Sequence, residues 1–212
     1  VSFDSVAPWY RALETIAFGN GLQRARLACL DEIAAPRRVL IVGEGNGRFL
    51  FELRRRHPGV QIDCVDASQR MLSLARRRFR ASPDDVRFLQ RDLLTWTPDA
   101  AHYDLVVTHF FLDCFPEGQL PGIVSKLAEA ATPEAIWLLA DFRIPAQGFA
   151  NVRARAWVAV MYQFFRSVAG IEARELVDPS PFLRSENFVL AQEHLLRGGL
   201  LKSQLWRRQL SL

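Results

Sequence analysis

The fold class this sequence predicts is α/β: an open, mostly parallel sheet with helices on both faces and an antiparallel end. Three observations predict it. The first is Val39 to Leu50, VLIVGEGNGRFL, in which four apolar residues, Val39 to Val42, read as a fully buried strand and glycines then alternate at Gly43, Gly45 and Gly47. Arg48-Phe49-Leu50-Phe51-Glu52-Leu53 follows with apolar residues at helical spacing. Strand, tight glycine turn and helix in that order build a ligand crevice. The turn lets a ligand approach without a Cβ in the way, and the helix start offers unpaired N–H groups and a positive dipole end. The second is the recurrence of short apolar strands between amphipathic helices as far as Ala140, the pattern of right-handed parallel crossovers. The third is a terminal pair of strand-like runs, Phe188 to Leu195 and Leu200 to Arg208, joined across Arg197-Gly198-Gly199, with the last running antiparallel.

The elements follow in order. A helical pattern leads from Phe3-Asp4-Ser5-Val6-Ala7-Pro8-Trp9-Tyr10 through Phe18 to a Gly19-Asn20-Gly21 break. A second helix is expected over Leu22 to Ile33, loosely periodic and closed by Pro36. The first strand is Arg38 to Val42, and its helix runs from about Asn46 to His57, ended by Pro58-Gly59. The second strand is Val60 to Val65, with Ser68 placed to cap a helix through about Arg80. Ser82-Pro83-Asp84 turns the chain into the third strand, Val86 to Gln90. The fourth strand, Tyr103 to Thr108, exits through His109-Phe110-Phe111-Leu112-Asp113-Cys114-Phe115-Pro116. A helix over about Gly118 to Ala131 precedes the fifth strand, Ala135 to Ala140. A long amphipathic helix, about Phe149 to Val168, carries Trp157, Met161, Tyr162, Phe164 and Phe165. Asp178-Pro179-Ser180-Pro181 then opens a short helix to about Ser185.

At 212 residues and 50% hydrophobic, the chain reads as one domain over 1–212, with no repeat and no low-complexity tract. Within it, 1–36 form a helical cap, 37–142 a cofactor-binding core, and 143–212 a substrate-side helix and terminal hairpin. The net charge of +4 is mild, and apart from Lys126 and Lys202 the cations are arginines. Cys29, Cys64 and Cys114 are scattered, an odd count without C-x-x-C, which argues for reduced thiols and a cytoplasmic protein. No apolar run reaches transmembrane length and the start lacks a basic-then-apolar leader, so no stable membrane insertion is expected. The chain opens on Val1, and a trimmed initiator end is expected.

A dinucleotide site wants G-x-G-x-x-G. Here the third glycine comes one residue early and Arg48 occupies its place. Asp66, nineteen positions beyond Gly47 at the end of the second strand, can accept both hydroxyls of a ribose. Asp92, in Arg91-Asp92-Leu93 after the third strand, can reach the exocyclic amine of an adenine. The three features stand in order along one crevice rim. Together they resemble the class I S-adenosylmethionine (SAM) methyltransferases over roughly Arg38 to Phe142. The resemblance implies a Rossmann-like seven-stranded sheet with an antiparallel last strand, SAM as cofactor and S-adenosylhomocysteine (SAH) as product. It also implies cofactor contacts from Gly43, Glu44, Gly45, Gly47, Asp66, Ala67, Met71, Asp92, Leu93, His109 and Phe110. Phe3-Asp4-x-Val6-Ala7-x-x-Tyr10, with Phe18-Gly19 and Arg24, resembles the entry segment of ubiquinone/menaquinone-biosynthesis C-methyltransferases. By that resemblance Tyr10 is a candidate cofactor contact; otherwise Trp9 and Tyr10 pack a helix on the sheet.

One departure concerns the acid that the family's motif carries two residues before its first glycine, where it helps hold the cofactor's ammonium. Ile41 stands there, and a carboxylate appears at Glu44 instead, able to supply the charge from another angle or to face solvent. Methyl transfer depends mostly on alignment, so few catalytic groups are demanded. His109 is a candidate base and Asp113 the runner-up; alternatively His109 bonds only backbone. The exit H-F-F-L-D-C-F-P lacks the Asn/Asp-Pro-Pro-aromatic pattern of amino-methylating nucleic-acid enzymes, and Asp113, not proline, precedes Cys114, against a cytosine-C5 nucleophile. Arg54-Arg55-Arg56 and Arg76-Arg77-Arg78 lack interleaved aromatics, so no nucleic-acid partner is expected. No cluster has metal spacing, so no metal is expected. The expected function is methyl transfer to a small, apolar or aromatic acceptor by a monomer or homodimer. The alternatives are a nicotinamide-dependent oxidoreductase and a non-catalytic SAM-binding or interaction protein.

Overall fold

The computed structural model describes residues 20–79, 85–145 and 175–209, together with positions 151, 163 and 173. The expected helix up to Phe18, Tyr10 within it, the Ser82-Pro83-Asp84 turn and almost all of the expected 149–168 helix lie outside the described residues.

Seven strands form one sheet: β1 (Arg38–Val42), β2 (Gln61–Asp66), β3 (Val86–Gln90), β4 (Tyr103–His109), β5 (Ala131–Phe142), β6 (Phe188–Leu196) and β7 (Leu201–Arg208). Their order is β3-β2-β1-β4-β5-β7-β6. β1 to β5 are parallel, and β7 enters antiparallel between β5 and β6. The central strands β1 and β4 are buried on both faces over most of their length, which is why Val39–Val42 and Leu105–Val107 read as apolar runs. Among the described residues five α-helices accompany them: α1 (Gly21–Leu27), α2 (Arg48–Arg56), α3 (Gln69–Arg78), α4 (Leu120–Ala130) and α5 (Ser180–Ser185).

Alternation along β1 divides the core. Val39 and Ile41 pack with Phe49, Leu50 and Leu53 of α2 and Leu72 of α3. Leu40 and Val42 face the other layer, with Ile123, Val124 and Leu127 of α4 and the buried indoles of Trp137 and Trp206. The Trp137 Nε1–H donates to Thr108 Oγ1 at 2.8 Å, so burial of that ring leaves no polar atom unpaired. The arginine runs fall in the last turns of α2 and α3, where cations meet the negative end of the helix dipole.

Strands β1 and β3 lie where expected, and β2, β6 and β7 within one residue; three further elements show differences that bear on the site. The helix expected over Leu22 to Ile33 stops at Leu27 and continues as a 3₁₀ turn over Leu30–Glu32. Leu22 and Ala25 pack toward Ala140, Phe142 and Leu201, whereas Cys29, Leu30 and Ile33 join the α2 layer, and one straight helix cannot serve both directions. β5 begins at Ala131 rather than Ala135, pairing Ala131 with Tyr103 before a register shift. β4 takes in His109.

The strand order reverses at β1. After β3 the chain crosses to β4 on the other side of β1, so β1 and β4 diverge at their carboxyl ends. That switch point is where open α/β sheets hold ligands.

Candidate cofactor crevice

The turn after β1 sets the crevice. Gly43, Gly45 and Gly47 all have φ near +70 to +80°, a region that side chains disfavour. Their surroundings differ. A Cβ at Gly43 would lie 2.5 Å from Phe111 Cδ2, and one at Gly47 2.8 Å from the Ala75 Cα, so these two glycines allow close packing of protein on protein. A Cβ at Gly45 would meet nothing within 4 Å. The middle glycine therefore turns its open side to the crevice.

Asp66, at the end of β2, accepts from the Gly45 N–H at 3.3 Å through Oδ2 and from the Ser68 N–H at 2.8 Å through Oδ1. The carboxylate is thus fixed beside the glycine turn at the rim. Ser68 caps α3, its hydroxyl oxygen accepting from the Met71 N–H at 3.2 Å, and this sets Met71 against the crevice wall. Asp92 Oδ1 accepts from the Leu94 N–H at 3.0 Å, a local turn bond that fixes the carboxylate after β3.

The crevice brings together Gly43, Gly45, Asp66, Ala67, Met71, Asp92, Leu93 and Phe110 among the sequence-predicted residues. It adds Phe111, which follows Phe110 at the strand exit beside the expected methyl position, and Phe115, which the sequence did not single out. The signal was in the FF-x-x-x-F spacing: the two rings meet at 5.0 Å, edge to face, and Phe111 seals the back of Gly43. An acidic rim, an open glycine and apolar walls fit an adenosine, its ribose and a thioether chain.

Four predicted residues lie off the crevice wall. Gly47 starts α2 against α3. Glu44 is buried; its Oε1 accepts from the Phe49 and Leu50 N–H groups at 3.0 and 3.1 Å, so it caps the first turn of α2 and does not face solvent. Burial pushes its carboxyl up to about 7, against the pull of those N–H groups and of the nearby Arg26. His109 is buried on the α2 side, its ring edge-on to Phe49 at 4.5 Å, and its Nδ1 has no hydrogen-bond partner. Burial, with the Arg26 charge, holds that imidazole well below the usual histidine range. Asp113 is buried on the opposite face, hydrogen-bonded to Asp141; burial pushes both carboxyls up, Asp141 further. Tyr10 lies outside the described residues.

A larger concavity, about 320 Å³, opens at the amino ends of the strands and holds none of these residues. Its buried acid, Asp63, already accepts from Arg87 Nε at 2.6 Å and from the Tyr103 hydroxyl at 2.7 Å. Such satisfied ion pairs brace the sheet rather than await a ligand. Among the described residues no His/Cys/Asp/Glu group could hold a metal ion, and no helix is long and apolar enough to cross a membrane.

Comparison with known proteins agrees with this geometry. A methyltransferase-domain family model matches residues 39–134, the stretch from β1 to the start of β5. Demethylmenaquinone methyltransferase of Deinococcus radiodurans is 34% identical over 149 residues, 69% of this chain and 61% of the relative. Its counterpart in Thermus thermophilus is 31% identical over 149 residues, 69% of this chain and 66% of the relative. The chain thus spans somewhat under two thirds of the curated relatives it matches. Among solved structures, magnesium protoporphyrin IX methyltransferase from Synechocystis PCC 6803 with bound SAH superposes with a TM-score of 0.71 at 16% identity, covering 98% of this chain and 96% of that one. At that identity the likeness is one of fold.

Proposed function

We propose that the chain, whose residues 39–134 match a methyltransferase-domain family, is a SAM-dependent methyltransferase that binds SAM in the β1/β4 crevice and methylates a small organic acceptor, apolar or aromatic in character. The observation that carries this reading is convergence. Gly43 and Gly45, Asp66 and Asp92, from three successive strand ends, line one crevice. In this reading the glycine turn receives the methionine end, Asp66 the ribose and Asp92 the adenine amine, with Ala67, Met71 and Leu93 against the base. Tyr10 would close over it from the amino-terminal segment.

When bound, SAM supplies a methyl group on a positively charged sulfonium, open to in-line attack. The protein's task is to hold the acceptor on that line and keep water out. Phe110, 5.2 Å from Phe142, and the Phe111–Phe115 pair form the aromatic wall that supports an apolar or aromatic acceptor. Where the acceptor loses a proton, His109 and Asp113 are the candidate bases; both lie off the crevice wall, with the Asp113 carboxyl raised by burial and the His109 imidazole held low. The nicotinamide alternative is not favoured: Arg48 stands in place of a third fingerprint glycine, and Gly47 serves helix packing instead. Ile41, 1% exposed within the apolar core where the family carries an acid, keeps a non-catalytic SAM-binding role as the second reading.

Calorimetric titration with SAM, SAH and NADH tests the reading. The expected result is micromolar binding of SAM and SAH, lost in Asp66→Ala, with no NADH binding. Tight binding of NADH alone would overturn it. Cofactor binding without turnover over a broad acceptor panel would favour the second reading.

A further inference from the structure

The chain carries two lysines, Lys126 and Lys202, among cations that are otherwise arginines. Both ammonium groups make internal contacts: Lys202 Nζ donates to Asp178 Oδ1 at 2.6 Å, and Lys126 Nζ to the Leu93 carbonyl at 2.6 Å. The second contact bears on the crevice. Leu93 follows Asp92 after β3, lines the crevice, and is buried in the same core layer as Ile123, Val124 and Leu127 of α4, the helix that carries Lys126. There the chain makes a single tight turn, the Asp92 carbonyl accepting from the Thr95 and Trp96 N–H groups at 3.1 and 2.8 Å. The next two carbonyls, of Leu93 and Leu94, are met by the Lys126 ammonium at 2.6 and 3.3 Å. An ammonium is a compact donor with three N–H groups and can serve two neighbouring oxygens, which the wider guanidinium fork does less well.

The peptide unit between Leu93 and Leu94 carries two bonds at once. Its carbonyl accepts from Lys126 at 2.6 Å, and its N–H donates to Asp92 Oδ1 at 3.0 Å. A peptide unit is planar, so fixing the carbonyl fixes the direction of the N–H. A cation on the carbonyl also polarises the amide and strengthens its N–H as a donor. We propose that Lys126 is a positioning residue for base recognition: through the Leu93–Leu94 peptide it aims the Asp92 carboxylate at the exocyclic amine of the cofactor's adenine. This deepens the SAM reading and rests on it. Lys126 itself does not line the crevice. Removing its ammonium leaves Leu93 in the core, held by apolar contacts, but lets the peptide and the carboxylate bonded to it swing. Affinity for the amine then falls while the apolar contact to the ring stays.

The test compares SAH with its 6-deamino analogue, in which hydrogen replaces the adenine amine. Both are titrated calorimetrically into wild-type protein, Lys126→Met, Asp92→Ala and the double variant, with thermal melts to verify folding. Wild type is expected to prefer SAH by about 10- to 30-fold, the worth of a hydrogen bond to a charged group. Lys126→Met is expected to weaken SAH roughly 5- to 10-fold and the analogue less than about 2-fold, so that the preference falls to about 3-fold or less. In Asp92→Ala, which abolishes the preference, adding Lys126→Met is expected to change neither ligand by more than about 2-fold. Equal weakening of both ligands by Lys126→Met would overturn the proposal, because Lys126 would then only brace the loop. Unchanged binding of both, or an undiminished effect on SAH in the Asp92→Ala background, would overturn it too. If Lys126→Met does not fold, Lys126→Gln carries the test, since it keeps a donor for the Leu93 carbonyl but no charge. SAH weakened about 3-fold with the analogue unaffected supports the proposal, and parallel or absent changes contradict it. Wild-type binding of SAH with no preference over the analogue would overturn the proposal and leave the crevice reading standing. Failure of wild-type protein to bind either ligand would instead sink the underlying SAM reading, a result separate from any variant's.

Discussion

Glu44 shows how a residue named from sequence acquires its chemistry from its neighbours. Its place inside the glycine turn was plain in the sequence; that it caps α2 with Oε1 was not, because that depends on how the positive-φ backbone directs its side chain. With a folded-state pKa near 7 against an ordinary value of 4.5, the folded protein binds this proton more tightly than the unfolded chain. Its contribution to stability is therefore greatest below about pH 4.5 and is lost as pH rises toward 7. Glu44→Gln keeps an oxygen for the Phe49 and Leu50 N–H groups but does not titrate. Urea unfolding is expected to show the variant gaining on wild type between pH 4.5 and 7.5, on the order of 3 kcal/mol; parallel profiles would contradict the burial argument. Gly47 gives a second test at this scale. Gly47→Ala strains φ +78° and pushes a methyl group against the Ala75 backbone, so a loss of about 2–4 kcal/mol is expected by thermal unfolding. For Asp113 and His109 the sequence shows only residue types, whereas burial raises the carboxyl and, with the charge of Arg26, holds the imidazole down.

At the level of elements, the strands were the most legible part. β1 and β3 were bounded to the residue and β2, β4, β6 and β7 to within one, β1 through its buried apolar run and the antiparallel β6 and β7 through the glycine turn that joins them. Helix ends were less so, because caps come from outside the helical run. The cap that sequence did reveal, Ser68, ties α3 to the crevice through Met71. Ser68→Ala is expected to cost about 1 kcal/mol in stability and to weaken SAH several-fold, by loosening the turn that also holds Asp66 through the Ser68 N–H. Calorimetry on the folded variant checks this; unchanged SAH affinity would separate the cap from the site. The break of α1 at Leu27 was not legible, because it follows from two core directions visible only once the sheet is assembled.

At the scale of the whole molecule, the reversal of strand order at β1 concentrates Gly45, Asp66, Asp92 and Phe110 at one end of the sheet and leaves the other end to ion pairs such as Asp63–Arg87. The fold class and this crevice rim were readable because motif order along the chain maps onto strand order. Phe110 and Phe111 were readable from their place after β4; Phe115 was not, because it reaches the crevice only by packing on Phe111. A ligand that binds only the folded crevice stabilises the whole chain: SAH at about 100 times its dissociation constant is expected to add about 2.7 kcal/mol, raising the melting temperature by roughly 5–10 °C. Where that ligand sits is tested most directly by backbone amide NMR during titration with SAH. The crevice account predicts saturable shifts at Gly43, Gly45, Asp66, Asp92 and Phe110, with Asp63, Arg87 and Tyr103 unmoved. Shifts centred on Asp63, Arg87 and Tyr103, with the glycine turn silent, would contradict it.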